Sequence, residues 1–380
     1  MHDGRRGMYC FAPYWGWYDQ QLTKNVGLVP YLFYKEYGFH SVMVTGQGGP
    51  FPSLDTYVKG LELVRMESPE PERLLRYIEE HAEDMDVFVM HGANPFYYAL
   101  LKRYREVRPD GKVYLELDPN GGWMNRVPVD LPVFQWYLSA CDVVGASCRR
   151  MQRYLSAKWP CRIEYLPNGF FDFTNENSEV DFDRKEDIIL TVGRIGTAQK
   201  RNETLLEGFA IAAPVLKGWQ LRLVGGVAPE FQKYMEEYFQ RHPDLRERVD
   251  FPGAIQDKRV LMQEYRKAKV FALSSEWEGG TPNVVAEALH GGCYMVTSDI
   301  DGSSDVVDNG ACGDVFPIND AAALAAILQR VCPDRELLLK GGRRAVEYGR
   351  ENFDFLKIAA RLYYLLFDEP PKNAGHCMGD

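Results

Sequence analysis

The sequence predicts an α/β protein built from two doubly wound parallel-sheet domains. Three observations predict it. The chain has 380 residues, long for one domain and ordinary for two. Short apolar runs alternate with amphipathic stretches, the rhythm of strands and helices that cover both faces of a parallel sheet. That rhythm stops at a turn and an acidic segment, then starts again.

In the first half, strands are expected at 8–13, 40–45, 61–66, 86–91, 113–118 and 142–146. Helices are expected between them at 28–37, 70–82 and 96–105. Pro167-Asn168-Gly169 is a turn signal, and the acidic, Asn-rich stretch 170–185 reads as a linker. The second half gives strands at 187–192, 220–224, 248–251, 269–274 and 293–299, with helices at 202–216, 229–241, 257–268 and 282–290. A last helix, 355–367, is apolar on much of its surface and is expected to cross back to the first domain, before a loose tail at 368–380. The expected division is therefore 1–169, linker 170–185, 186–350, and 351–380 for the returning helix and tail. In such proteins ligands bind beyond the carboxyl ends of the strands, between the domains.

Composition narrows the function. A 46% hydrophobic and 26% charged chain can build a sizeable core. Net charge of −10 argues against a nucleic-acid partner and against strong overall attraction to anionic lipid. A local basic patch, and with it peripheral contact with the inner face of the membrane, stays open. No run of 18 apolar residues suggests a span, and the start does not read as a secretion signal. Eight cysteines without a C-x-x-C pair read as reduced structural thiols, so a cytoplasmic location is expected. The aromatic density of the first 40 residues is read as core packing ahead of sugar-stacking walls.

Two segments carry the chemistry. The first is Ser275-Glu276-Trp277-Glu278-Gly279-Gly280-Thr281-Pro282-Asn283-Val284-Val285-Ala286-Glu287-Ala288-Leu289. Thr281 is the expected N-cap and Pro282 the first helical residue. The free N–H groups of Asn283 and Val284 then form an anion site, and the two glycines allow close approach. Val284, Val285, Ala288 and Leu289 are the expected buried face. Glu287, on the same face as Asn283, is placed to accept two ribose hydroxyls. The second segment, Gly193-Arg194-Ile195-Gly196-Thr197-Ala198-Gln199-Lys200, follows a strong strand, and its two cations suit a diphosphate. A capped helix with a solvated Glu, and two solvated surface cations, are the competing structural explanations.

Other features are weaker. Phe251-Pro252-Gly253-Ala254-Ile255 ends a strand, where main chain could face a flat base. Lys24-Asn25-Val26-Gly27 is expected as a loop before the first helix, its Gly allowing a ligand close. His91 and Asp118 end strands and can reach a cleft. Asp181-Phe182-Asp183 and Asp299-Ile300-Asp301 match a metal–diphosphate pattern at the frequency chance gives, so no metal is expected, and no zinc-ligand spacing occurs. No Walker loop, nucleophile elbow or dinucleotide fingerprint is present.

Taken together and in order, these segments resemble the retaining glycosyltransferases of family 4, which have the GT-B fold of two Rossmann-like domains facing each other across a cleft. The resemblance is carried by Val192-Gly193-Arg194 with Lys200, by Glu278 through Glu287, and by Asp301-Gly302-Ser303-Ser304-Asp305-Val306-Val307-Asp308-Asn309-Gly310. It covers residues 142–330, and the first 140 only by rhythm. It implies a nucleoside-diphosphate sugar (UDP- or GDP-sugar) as co-substrate, no required cofactor or metal, and a carbohydrate or lipid-linked acceptor. Donor-binding residues would be Gly27, Arg194, Lys200, Ile255, Gly280, Thr281, Pro282, Asn283, Val284 and Glu287. His91 would bind the acceptor, and Asp118, Glu278, Arg194 and Lys200 would serve catalysis. The implied role is sugar transfer in polysaccharide, cell-wall or glycolipid biosynthesis. Two departures stand out. The two glutamates are nine residues apart instead of the family's eight, which favours Glu287 over Glu278, with Glu276 as a lesser substitute. Asp118 stands where many relatives carry a His, and it could instead form a turn before Pro119. A non-catalytic sugar-nucleotide-binding protein, and a phosphorylase or epimerase of the same fold, remain as alternatives.

Overall fold

A computed structural model of the chain describes residues 5–12, 16–46, 49–66, 70–118, 121–174 and 179–370. Pro13, Pro119, Cys377 and the tail from 371 onward lie outside the described residues.

The chain divides into two units. The first runs to Phe171 and includes the helix Phe355–Phe367; the second is Asp172–Asp354. Seven strands form the first sheet: β1 Gly7–Phe11, β2 His40–Thr45, β3 Glu62–Arg65, β4 Val87–His91, β5 Lys112–Leu117, β6 Val143–Ala146 and β7 Glu164–Tyr165. Their order is β3-β2-β1-β4-β5-β6-β7, all parallel. The second sheet holds β8 Glu186–Val192, β9 Gln220–Val224, β10 Val249–Gly253, β11 Ala268–Leu273, β12 Tyr294–Ser298 and β13 Gly313–Phe316. Its order is β10-β9-β8-β11-β12-β13, also parallel. In each sheet the chain order reverses beside the first strand, at β1/β4 and at β8/β11. Loops leaving neighbouring strands diverge there and open a crevice at the carboxyl ends.

The strands read as near-continuous apolar runs because helices cover both faces. Cys10, Phe11, Val87, Phe88 and Val89 are fully buried in the first sheet, as are Ile189, Leu190, Val270 and Phe271 in the second. Part of the early aromatic set is core: Tyr9, Phe11, Trp17, Phe33 and Phe39 are buried, and Phe11 stacks on Phe88 at 4.8 Å, whereas Tyr18 is 50% exposed. Buried tyrosines keep their hydroxyls bonded. Tyr97 donates to Phe11 O (2.8 Å), Tyr104 to Met85 O (2.9 Å) and Tyr238 to Leu206 O (3.0 Å). Tyr363 of the last helix packs on Tyr37 at 4.8 Å and on Phe33 at 6.0 Å.

The stretch read as a linker is partly built into the second unit. Asp181 caps a short turn at Phe182–Arg184, and Lys185 is buried, donating to the carbonyls of Tyr265, Ala268 and Gly291. The seven described cysteines are free thiols. Among the described residues no helix is long and apolar enough to cross a membrane.

Candidate functional site

Beside the β8/β11 switch point the ends of β8, β9 and β10 are tied together by backbone. Gly193 N donates to Val224 O (3.0 Å) and Gly225 N to Gly253 O (2.9 Å). Gly225 has φ +150°, and a Cβ there would stand 1.6 Å from Gly193 O, so only glycine allows this approach. The chain beyond Gly193 is anchored by buried Ile195, whose N donates to Gly226 O (2.9 Å), and by Asn202, whose Oδ1 accepts from Gly196 N (2.7 Å). Arg201 then takes a left-handed conformation (φ 44°) before the helix Asn202–Ala212. The result is a rigid turn that leaves Arg194 exposed and lays the Lys200 side chain over Gly193.

The loop leaving β11 meets this turn. Ser274 Oγ donates to Lys200 O (2.9 Å), and Glu276 N to Gln199 O (2.8 Å). Glu278 is buried and accepts from Lys200 Nζ, Ser275 Oγ (2.5 Å) and Gln199 Nε2 (3.1 Å). Arg194 donates to Gln199 Oε1 (2.5 Å). Arg194, Gln199, Glu278 and Lys200 therefore form one connected group: two cations with one buried carboxylate between them. Glu276, the lesser substitute, is engaged by Arg201. Gln199 and Ser275 were given no role by sequence reasoning; the only signal was their adjacency to Lys200 and to the acidic turn.

The helix after the turn is Asn283–His290, with Pro282 as its N-cap. This corrects the expected start: Thr281 is fully buried and is not the cap, and Pro282 is not the first helical residue. Asn283 and Val284 now supply the first two helical N–H groups, which have no acceptor inside the helix. The buried face is Val285, Ala286, Ala288 and Leu289; Val284 is half-buried beside Asn283, contrary to expectation. Gly280 turns with φ +76°, and Gly302 packs so closely on it that a Cβ would stand 2.6 Å from Gly280 O.

Glu287 belongs to a separate group. Its Oε2 accepts from Tyr265 Oη (2.7 Å), and Lys258 Nζ lies 3.7 Å from Oε1. Burial first, then the adjacent carboxylate, pushes the Tyr265 phenol well above its usual pKa, so it remains a donor. Lys258 and Tyr265 were also missed; no local pattern marks them. Ile255 lies half-buried just past β10.

These features occupy one stretch of chain with a recorded relationship. Residues 186–334 match the family model for glycosyl transferases, group 1. This part of the second unit is similar to group 1 glycosyltransferases. A curated exopolysaccharide phosphotransferase of Streptomyces coelicolor is 28% identical over 149 residues, 39% of this chain; the match spans only 15% of that protein's length. Among solved structures, sucrose-phosphate synthase from Thermosynechococcus elongatus superposes with a TM-score of 0.69 at 22% identity, over 96% of this chain and 100% of that one. Anabaena HepE, solved in complex with UDP-glucose, gives 0.72 at 15% identity, with the same coverage. These likenesses show the fold, which is GT-B.

The first unit carries the other expected residues. Asp118 follows β5 and accepts from Asn168 Nδ2 (3.1 Å), the Asn of the Pro-Asn-Gly turn. His91 ends β4, with Nδ1 2.7 Å from Glu116 Oε2. Gly27 is a correction. It lies within the helix Asn25–Tyr37, not in a loop, and its N–H donates to Lys24 O (3.0 Å). A Cβ on it would stand 2.3 Å from Leu22 O, so its missing side chain serves the packing of Leu22.

Proposed function

We propose that the chain is a retaining glycosyltransferase of family 4, moving a sugar from a nucleoside-diphosphate sugar to a carbohydrate or lipid-linked acceptor. The observation that carries this reading is the pair of cations, Arg194 and Lys200, at the β8/β11 switch point of a unit similar to group 1 glycosyltransferases. They neutralise the diphosphate of the donor, and the N–H groups of Asn283 and Val284, with the main chain of Gly280, Thr281 and Pro282, face the donor sugar and phosphate. Glu287, steadied by Tyr265, takes the ribose hydroxyls, and Ile255 contacts the base. UDP is the preferred nucleotide on this reading, supported by the UDP and UDP-glucose complexes of the Anabaena structure.

Catalysis on this reading is positioning and charge stabilisation. Charge that builds on the departing diphosphate is met by Arg194 and Lys200, and the diphosphate takes the acceptor proton on the same face of the sugar. Glu278, once the diphosphate engages Lys200, is free to face the donor sugar. In the first unit, Asp118 stabilises positive charge at the sugar ring or orients the acceptor hydroxyl, and His91 binds the acceptor. The chemistry asks for no metal and takes place in the cytoplasm or at the inner face of the membrane. The name of the Streptomyces relative supports polysaccharide synthesis as the setting.

The test is nucleotide release measured with a panel of UDP-, GDP- and ADP-sugars, together with the anomeric configuration of any product. Turnover with at least one donor and retention are expected. No turnover, and no change in melting temperature with UDP, GDP or ADP, would contradict the proposal.

A further inference from the structure

A second polar site lies in the first unit, at the β1/β4 switch point. Glu116 of β5 is only 6% exposed. One carboxylate oxygen accepts from the amide of Asn25, the first residue of its helix, and the other lies 2.7 Å from His91 Nδ1. That last approach is an electrostatic contact, not an aligned hydrogen bond, and His91 Nε2 is buried with no hydrogen-bond partner. The Trp17 indole stands perpendicular to the His91 ring, with centroids 5.0 Å apart. Trp17 is 2% exposed, its backbone N–H donates to Thr45 Oγ1 (2.9 Å), and its indole Nε1–H has no acceptor.

Buried donors without acceptors are rare in folded proteins, because each loses its bond to water and gains nothing in return. Here an unanswered donor and an unanswered imidazole nitrogen sit on adjoining rings. Gly92, next after His91, has φ +78°, and apart from its chain neighbours no atom of the described residues lies within 4 Å of where its Cβ would stand. Asn25 and Glu116 also line a small cavity with Tyr114 and Asn168.

We propose that Trp17 and His91 form a subsite for one hydroxyl of a neutral sugar or polyol, with Glu116 and Asn25 as positioning residues. The Glu116 charge favours a proton on the nearer nitrogen, Nδ1, and leaves Nε2 as an acceptor. A hydroxyl fits both rings at once: it accepts from Trp17 Nε1–H and donates to His91 Nε2. A carboxylate has no proton for Nε2, and a carboxylate or phosphate alike would meet the Glu116 charge. The site rests on the transferase reading only in calling this hydroxyl the acceptor's.

The experiment uses the full chain labelled with 15N at Trp and His, and methyl glycosides of glucose, galactose, mannose and N-acetylglucosamine, with glycerol, as probes. Trp17→Phe identifies the Trp17 indole signal. That signal is expected to move with at least one probe, and His91 15N shifts are expected to report the Nδ1–H tautomer. Glu116→Gln should turn that tautomer into a mixture. In transfer assays Trp17→Phe should raise the acceptor KM about tenfold, the size of one neutral hydrogen bond. Donor KM and acceptor-free donor hydrolysis should stay unchanged. No movement of the indole signal with any probe, or an unchanged acceptor KM, would overturn the subsite. Movement of the signal in a wild-type protein that transfers no sugar would instead sink the transferase reading and leave the subsite standing.

Discussion

Lys200 and Glu278 form an ion pair at the β8/β11 switch point, with their side chains only 13% and 8% exposed. An internal carboxylate thus holds the cation that a diphosphate would need. On the proposed reading, donor binding exchanges one anion for another at Lys200. Glu278 keeps Ser275 and Gln199 as partners when that happens, so the exchange leaves no bare buried charge.

This exchange gives the two residues opposite signatures. Lys200→Ala should weaken UDP binding about 10- to 100-fold, the size of a hydrogen bond to a charged group, and destabilise the fold by about 1–3 kcal/mol by unpairing Glu278. Glu278→Gln should bind UDP several-fold tighter yet transfer sugar more slowly. Calorimetric titration with UDP reads both. A tenfold loss of affinity in Glu278→Gln would show that the carboxylate supports the nucleotide directly.

Glu287 has a different partner, and so a different test. Tyr265→Phe removes the hydroxyl that holds its carboxylate. UDP affinity should fall about 3- to 10-fold, and preference for UDP over 2′-deoxy-UDP should shrink. Glu287→Ala should abolish that preference. Equal preference in wild type and Glu287→Ala would remove ribose from the role of Glu287.

The backbone junction behind the cations is sensitive to one atom. Gly225→Ala should cost about 3 kcal/mol or more, because its Cβ would collide with Gly193 O at a positive φ. Urea unfolding measures it. Gly218→Ala is the control: the same sign of φ (+83°) but no neighbour within 4 Å, so the smaller loss expected there isolates the collision.

Acid should weaken the second unit through His290. Burial, the largest cause, lowers its pKa below the usual value near 6.5, while Nδ1 donates to Ala286 O (2.8 Å). Between the lowered folded pKa and about 6.5 the unfolded chain binds more protons, so stability rises with pH across that window. Falling pH therefore costs stability from about 6.5 downward until the folded pKa is passed. Unfolding in urea at pH 7.5 and 5.5 should show this loss, and His290→Asn should show less of it. Equal losses would assign the acid sensitivity elsewhere.

Much of this architecture was legible. Apolar residues bounded by turns located β2 and β9 to the residue: β2 is buried at every position but its first, and β9 buries Leu221, Leu223 and Val224 between turn signals. β13 and the helices Ala321–Val331 and Arg335–Asn352 were not read. β13 is four residues at a sheet edge, with two of them not fully buried, too short to show a pattern. At the site, Arg194, Lys200 and Glu287 were visible as residue types at strand and helix ends. Their partners were not. Gln199 reaches Glu278 from the loop after a different strand, and Tyr265 meets Glu287 between two helices, contacts that no local spacing encodes; Ser275 is only three residues from Glu278 but carries no pattern that marks it. Thr281 looked like a cap because Thr before Pro usually is one, but burial beneath the Gly302 turn takes it out of that role. Gly27 was read as part of a loop, but the helix begins two residues earlier, at Asn25, and its missing side chain lets Leu22 pack against it.

On the proposed reading, the second unit holds a nucleoside diphosphate by Arg194, Lys200 and Glu287. A crystal structure with UDP tests it most directly. The diphosphate is expected on Arg194 and Lys200, the ribose on Glu287, and Glu278 parted from Lys200. UDP bound elsewhere, or an unbroken Lys200–Glu278 pair with no phosphate contact, would contradict it.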